Sequence, residues 1–150
     1  MNIKTKFPPP LVALTFGFLI NYTKNIFPKI EIKNGIIFGY FMIISGLIVI
    51  LSAIILFKKY HTTISPLNPS NATKLITDGI YKFSRNPMYL GLLLMLVGIS
   101  IILNLTGGFL FILLFIFYIN LFQIIPEENA MVDLFKDEFT EYKKNVRRWI

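Results

Sequence analysis

The chain has 150 residues, 55% of them apolar and 15% charged, with a mean hydropathy of +0.65; soluble domains carry about a quarter of charged residues, so lipid is the natural solvent for one domain of this length. It contains no cysteine, which excludes a disulfide framework, a thiolate metal site and a cysteine nucleophile together. The net charge of +7 comes from Lys and Arg that flank apolar spans instead of forming a basic domain with interleaved aromatics, so membrane flanks, not nucleic acid, are its expected setting.

From the N-terminus, residues 11–20 are apolar but short, preceded by Pro8, Pro9 and Pro10 and, further ahead, by Lys4 and Lys6. A signal peptide is the competing reading, yet no small-residue cleavage site follows Ile20, and a first transmembrane helix over about 8–22 is expected to start among the prolines. Residues 35–57 are 23 uncharged positions, enough at about 1.5 Å per residue to cross a roughly 30 Å hydrocarbon core. Residues 88–125 are a longer uncharged stretch, interrupted by Asn104-Leu105-Thr106-Gly107-Gly108, which predicts a tight turn between antiparallel spans over about 88–103 and 108–125. Gly35, Gly39, Gly46, Gly91 and Gly98 read as positions where helix backbones approach closely. Phe41, Phe109, Phe111, Phe115 and Phe117 read as lipid-facing or core residues.

Positive charge sets the expected orientation. Lys58, Lys59, Lys74, Lys82 and Arg85 precede the hairpin, and Lys136, Lys143, Lys144, Arg147 and Arg148 follow it, so both segments are expected to be cytoplasmic. Four spans put the N-terminus on that side too, whereas Lys24, Lys29 and Lys33 fall on the other side, against the trend. The expected architecture is an all-α membrane protein of about four transmembrane helices, one domain over 1–150, with both termini cytoplasmic.

The polar and ionisable groups gather in residues 60–91 and 123–150, which the hairpin returns to one membrane face. The first segment runs through His61, Thr62-Thr63, Pro66 and Pro69 to Pro87, which suits the first turn of the third span. In the second, Glu127 and Glu128 either meet a ligand or Arg partner at the end of the fourth span, or simply begin the next helix, where acidic first-turn residues are favoured. Met131, Phe135, Phe139, Tyr142, Val146 and Trp149 recur at spacings of three and four among basic residues, the pattern of an interfacial amphipathic helix or of a lid over the site. His61 is the only histidine, and no Asp/Glu/His cluster has ligand spacing, so neither a metal centre nor a hydrolase triad is expected, and any chemistry must come largely from a cofactor.

Leu75-Ile76-Thr77-x-Gly79-x-Tyr81, Arg85-Asn86-Pro87-x-Tyr89-x-Gly91, Glu127-Glu128 and Phe135-x-x-Glu138-x-x-x-Tyr142 together resemble the isoprenylcysteine carboxyl methyltransferase family, and are similar to phospholipid methyltransferases. The resemblance covers roughly residues 60–150. It implies an S-adenosylmethionine-dependent methyltransferase acting on a lipid-like or prenylated small molecule among membrane lipids, with a bacterial inner membrane the expected setting. Cofactor contacts carried over by position fall on Thr73, Lys74, Leu75, Ile76, Tyr81, Asn86, Pro87, Met88, Tyr89 and Glu127, with Arg85 and Glu128 beside them. Thr73 and Asn86 stand where the eukaryotic pattern has His, which keeps hydrogen bonding and loses a titratable group. Gln123 stands where eukaryotic members have an Arg that serves the substrate, and a neutral amide lacks that residue's bidentate pairing with a carboxylate. Arg85 could take over that task, pair with the cofactor carboxylate, or pair with Glu128.

A carboxylate acceptor is ionised at neutral pH and needs no general base, whereas an amine must arrive deprotonated, with Glu127, Glu128 or a Tyr as the available bases. Other readings are an NADPH-dependent membrane reductase, to which the Arg-x-Pro-x-Tyr-x-Gly region is also similar, a small transporter, and a non-catalytic scaffold. Transport is the weaker of these, because a coupled transporter usually needs an ionisable residue inside a span, and the apolar stretches hold none.

Overall fold

The structure, a computed structural model, describes residues 7–60 and 73–150. Lys4, Lys6, His61, Thr62, Thr63, Pro66 and Pro69 lie outside the described residues. Among the described residues the fold is helical, with no strand. The order is α1 (Pro9–Thr23), α2 (Gly35–Lys59), a 3₁₀ turn (Gly79–Lys82), α3 (Pro87–Leu103), α4 (Leu105–Ile119), a π-register segment (Asn120–Ile124) and α5 (Ile125–Asn145). α2 and the continuous helical run from Leu105 to Asn145 are long and apolar enough to cross a membrane; α3 is apolar and shorter.

Prolines start α1 and α3, where a missing amide hydrogen costs nothing. The Pro126 ring cannot donate to the preceding turn, and the π register just before it absorbs that gap without ending the rod. α5 is itself interrupted at Lys136, whose φ of 45° and ψ of −115° turn its second half. The amphipathic pattern expected to run on to Trp149 is corrected in part: the helix ends at Asn145, and only Phe139 and Tyr142 of its aromatic face are buried.

The α3–α4 turn is also tighter than the sequence suggests. Asn104 alone separates the two helices, and Thr106, Gly107 and Gly108 belong to α4. The buried Asn104 side chain accounts for this. Its Oδ1 accepts from the amides of Thr106 and Gly107, capping α4, while its Nδ2 donates to the carbonyls of Lys24 (2.7 Å) and Phe27 (2.9 Å). The glycines serve packing instead, since a Cβ on Gly107 or Gly108 would run into Phe27 or Ser100.

α2 and α3 form the closest helix contact. A Cβ on Gly46 would lie 2.5 Å from the Gly91 carbonyl oxygen, and one on Gly98 would lie 2.5 Å from that of Gly39. The two glycines of each helix are seven residues apart, so they present two matched small sites along one antiparallel seam. α1 packs on α3 and α4 through Ile20, Leu96, Phe115 and Ile119, all essentially buried, and makes at most marginal contact with α2.

Overpacking this seam separates the helices. Gly46→Leu and Gly98→Leu are each expected to destabilise the protein by about 1–3 kcal/mol or more, whereas Gly17→Ala, whose added carbon meets Leu96 and Ile99 methyls at an ordinary 3.7 Å, is expected to be near neutral. Thermal unfolding in detergent checks both, and equal loss in all three variants would refute a special close approach.

Candidate functional site

A cavity of about 850 Å³ opens where the start of α3, the start of α5 and the segment before the 3₁₀ turn converge. Its size lies within the range of small-ligand sites. Lys74, Leu75, Ile76, Tyr81, Arg85, Asn86, Pro87, Met88, Tyr89, Glu127 and Glu128 all line it, so eleven of the twelve residues carried over as cofactor contacts come together. Thr73 is exposed and does not line the cavity. Gln123 lies in the π-register segment, fully buried, where its Nε2 donates to the Phe7 carbonyl at 2.9 Å and its Oε1 has no partner among the described residues. The structure therefore puts Gln123 under the N-terminal segment, not among the cavity's walls.

The two adjacent glutamates have different surroundings. Glu128 is buried and accepts from Arg85 Nη2 at 2.7 Å, and from Arg148 Nη2 at 2.7 Å and Nε at 3.1 Å. Burial alone would raise its pKa, and the hydrogen bonds from Arg148 and Arg85 more than offset this, holding the carboxyl below its ordinary value. Arg85 also donates through Nη1 to the carbonyls of Val146 (2.6 Å) and Lys143 (3.3 Å), and its amide donates to the Arg147 carbonyl. Asn86 Nδ2 donates to the Arg148 carbonyl at 3.0 Å. The C-terminal residues 146–148 are thus clamped along residues 84–86.

Glu127 accepts from the Tyr89 hydroxyl and has no cationic partner among the described residues. Burial raises its pKa; the Tyr89 hydrogen bond lowers it and the Glu128 charge raises it further, to about 7. Part of its surface remains accessible, but that part opens into the cavity. Arg85 Nε is buried without a partner among the described residues. An unneutralised carboxylate and an orphan guanidinium donor in one cavity could together hold a ligand that carries both a cation and a carboxylate.

Aromatic residues shape the remaining wall. The Tyr142 hydroxyl donates to the Tyr81 carbonyl at 2.6 Å, tying α5 to the 3₁₀ turn, and the Tyr81 ring meets Phe57 edge-on. Burial pushes both phenols upward, so they act as neutral hydrogen-bonding groups. The Lys74 ammonium sits 4.3 Å above the Tyr60 ring, and the Tyr60 hydroxyl bonds Asp78, which orders the approach to the cavity.

Sequence reasoning missed Arg148 as the second partner of Glu128 and the prolines of α1 as part of the wall. Arg148 stands in a run of basic residues, with no local pattern to single it out. Phe139 and Tyr142, which line the cavity, were visible as members of the three-and-four spacing.

The pKa directions have opposite consequences for stability. Glu128, with a lowered folded pKa, contributes stability that is present above its ordinary value of 4.5 and lost as pH falls through the folded value. Glu127, raised to about 7, contributes stability that is complete below 4.5 and lost as pH rises through 7. At about pH 8, Glu128→Gln is expected to cost about 3 kcal/mol, the lower end for a broken buried pair because Arg148 is partly exposed, while Glu127→Gln raises the unfolding temperature. Denaturation of both variants against pH checks the signs, and a matching loss in both would contradict the division of roles.

The chain matches the phospholipid methyltransferase family model over residues 34–138. It is similar to a Haemophilus influenzae protein described as uncharacterized, 43% identical over 63 residues, which are 42% of this chain and all of the relative. It is also similar to protein-S-isoprenylcysteine O-methyltransferase of Schizosaccharomyces pombe, 36% identical over 75 residues, 48% of this chain and 30% of the relative. Protein-S-isoprenylcysteine O-methyltransferase B of Arabidopsis thaliana is 31% identical over 111 residues, 73% of this chain and 55% of the relative. The match thus takes in about half or less of the length of these two named relatives. No solved structure matches. With most of its length, including the start of α3 and both glutamates, inside the matched region, this chain belongs to the phospholipid methyltransferase family.

Proposed function

We propose that the protein transfers a methyl group from S-adenosylmethionine to the polar end of a membrane-embedded amphiphile, such as a lipid head group or the carboxylate of a prenylcysteine-like molecule. The observation that carries this reading is one cavity that joins the Glu127, Tyr89 and Arg85 cluster to an apolar groove between helices. Methyltransferase relatives support it over a reductase. The topology that goes with it has four spans, α1 to α4, with the polar cluster, α5 and both termini at the cytoplasmic face of a bacterial inner membrane. α5 then lies at the interface, its buried aromatic side over the cavity.

The residues present suit the cofactor. The Glu127 carboxylate complements a sulfonium or an ammonium, and the unpartnered Arg85 Nε suits a carboxylate. Leu75, Ile76, Pro87 and Met88 offer apolar surface to a base or ribose. When bound, the cofactor supplies an already activated methyl group. The chain's part is alignment and exclusion of water: Tyr89 orients Glu127, Glu128 anchors Arg85, and Phe139 with Tyr142 covers the polar end. Alignment of reacting groups in a dry site can contribute up to about 7–11 kcal/mol.

Calorimetry on the detergent-solubilised protein should show saturable binding of S-adenosylhomocysteine and none of NADPH. S-adenosylmethionine affinity should fall as pH drops below about 7, because protonated Glu127 no longer complements its cation. Glu127→Gln should bind weakly with a flat profile over the same range. Binding of NADPH alone would sustain the reductase reading, and a wild-type pH profile in the glutamine variant would remove Glu127 from the site.

A further inference from the structure

The apolar part of the cavity has walls, a floor and an end. α1 supplies one wall through Ala13, Leu14, Gly17 and Phe18, α2 the other through Leu47 and Ile50, and α3 the floor through Leu92, Met95, Leu96 and Ile99. The groove exists because α1 and α2 each pack on α3 with at most marginal contact between themselves. It is a continuation of the polar site, since Tyr89 and Ile99 line the same cavity.

The connection between α1 and α2 lies beyond the far end. Residues 24–34 connect α1 to α2 and must cross between them beyond Phe18 and Ile99. Asn104 holds that crossing against the α3–α4 turn through the carbonyls of Lys24 and Phe27. At the other end lie Glu127 and Tyr89, so an occupant is polar at one end only.

The length of the groove follows from helix geometry. From Tyr89 to Ile99 is ten residues of α3, or about 15 Å at about 1.5 Å per residue. An extended chain advances about 3.8 Å per three bonds, so about 12 bonds fit. We propose that this groove takes one apolar chain of about a dozen backbone carbons, the tail of the methyl acceptor, and that Gly17 sets its usable depth. The proposal rests on the methyl-transfer reading only for what happens at the polar end. A second chain of a two-tailed lipid has no place in it and would lie in the surrounding bilayer.

Gly17 is suited to this role because it is a small residue opposite the last floor positions. A Cβ there meets Leu96 Cδ2 and Ile99 Cδ1 at 3.7 Å, ordinary contact, so a larger side chain extends into the groove without pushing backbones apart. A side chain that covers the floor between Leu96 and Ile99 removes three residues of rise, about 4.5 Å, which is three to four carbons at the same scale of about 1.3 Å per bond.

The test uses the full chain in lipid nanodiscs and primary n-alkylamines of about 8, 12 and 16 carbons carrying a terminal diazirine, spanning the groove length. After irradiation, labelled peptides are mapped by mass spectrometry. The middle probe should label the Phe18 or Ile99 region saturably, and unlabelled amine of the same length should compete better than the shorter or longer one. Gly17→Leu and Gly17→Trp should move the preferred length down by about three carbons, with wild-type elution and unfolding confirming that each variant folds. Labelling without length preference, labelling confined to the outer face of α2 around Ile37 and Phe41, or an unchanged preference in whichever Gly17 variant folds would each overturn the proposal. Binding of S-adenosylhomocysteine to wild type, measured alongside, separates the two claims: its absence sinks the methyl-transfer reading while length-selective labelling still upholds the groove.

Discussion

The polar end of this molecule is organised around one buried carboxylate. Glu128 sits between the guanidiniums of Arg85 and Arg148, and a charge taken out of water at that depth is tolerable only with such partners. The three residues come from the start of α3, the start of α5 and the C-terminal segment. Their pairing forces those segments together. Arg85 then spreads over the carbonyls of residues 143 and 146, so that the last residues of the chain become part of the wall. A salt bridge of this kind contributes position more than it contributes stability, because desolvation consumes much of its Coulombic gain.

With Glu128 committed in this way, its neighbour is left with a different chemistry. Glu127 faces the cavity with only the Tyr89 hydroxyl as a hydrogen-bond donor among the described residues, and burial pushes its carboxyl up to about 7. Two carboxylates adjacent in sequence therefore divide into one that holds structure and one that stays available to a cation. Arg85 is correspondingly a weak candidate for recognising an acceptor carboxylate, since two of its three nitrogens already have partners. That leaves its Nε as the donor to spare.

The apolar end depends on a second constraint, the backbone contact of α2 with α3. Glycines at matched seven-residue intervals bring those helices together so closely that α2 is drawn onto α3 and away from α1. The space left between α1 and α2 continues from the polar cluster, and one cavity comes to hold both kinds of surface. Many of the exposed large hydrophobics, such as Ile37, Phe41 and Ile44, lie on the outer side of α2, as expected of a helix bathed in lipid.

The sequence by itself determined the helical class, the places where prolines start helices and the glycine seam. Each of these is a local or periodic property: uncharged length, a missing amide hydrogen, or small residues at helical spacing. Eleven of the twelve residues carried over as cofactor contacts share a cavity, which the packing of three separate segments creates. Only the tertiary structure decided which glutamate is neutralised, that Arg148 completes the pair, that Gln123 holds the N-terminal segment at Phe7, and that Asn104 alone makes the turn. Those outcomes depend on which distant groups a buried polar atom can reach, and a desolvated charge or amide takes the partner that packing brings within 3 Å, not the one nearest in sequence.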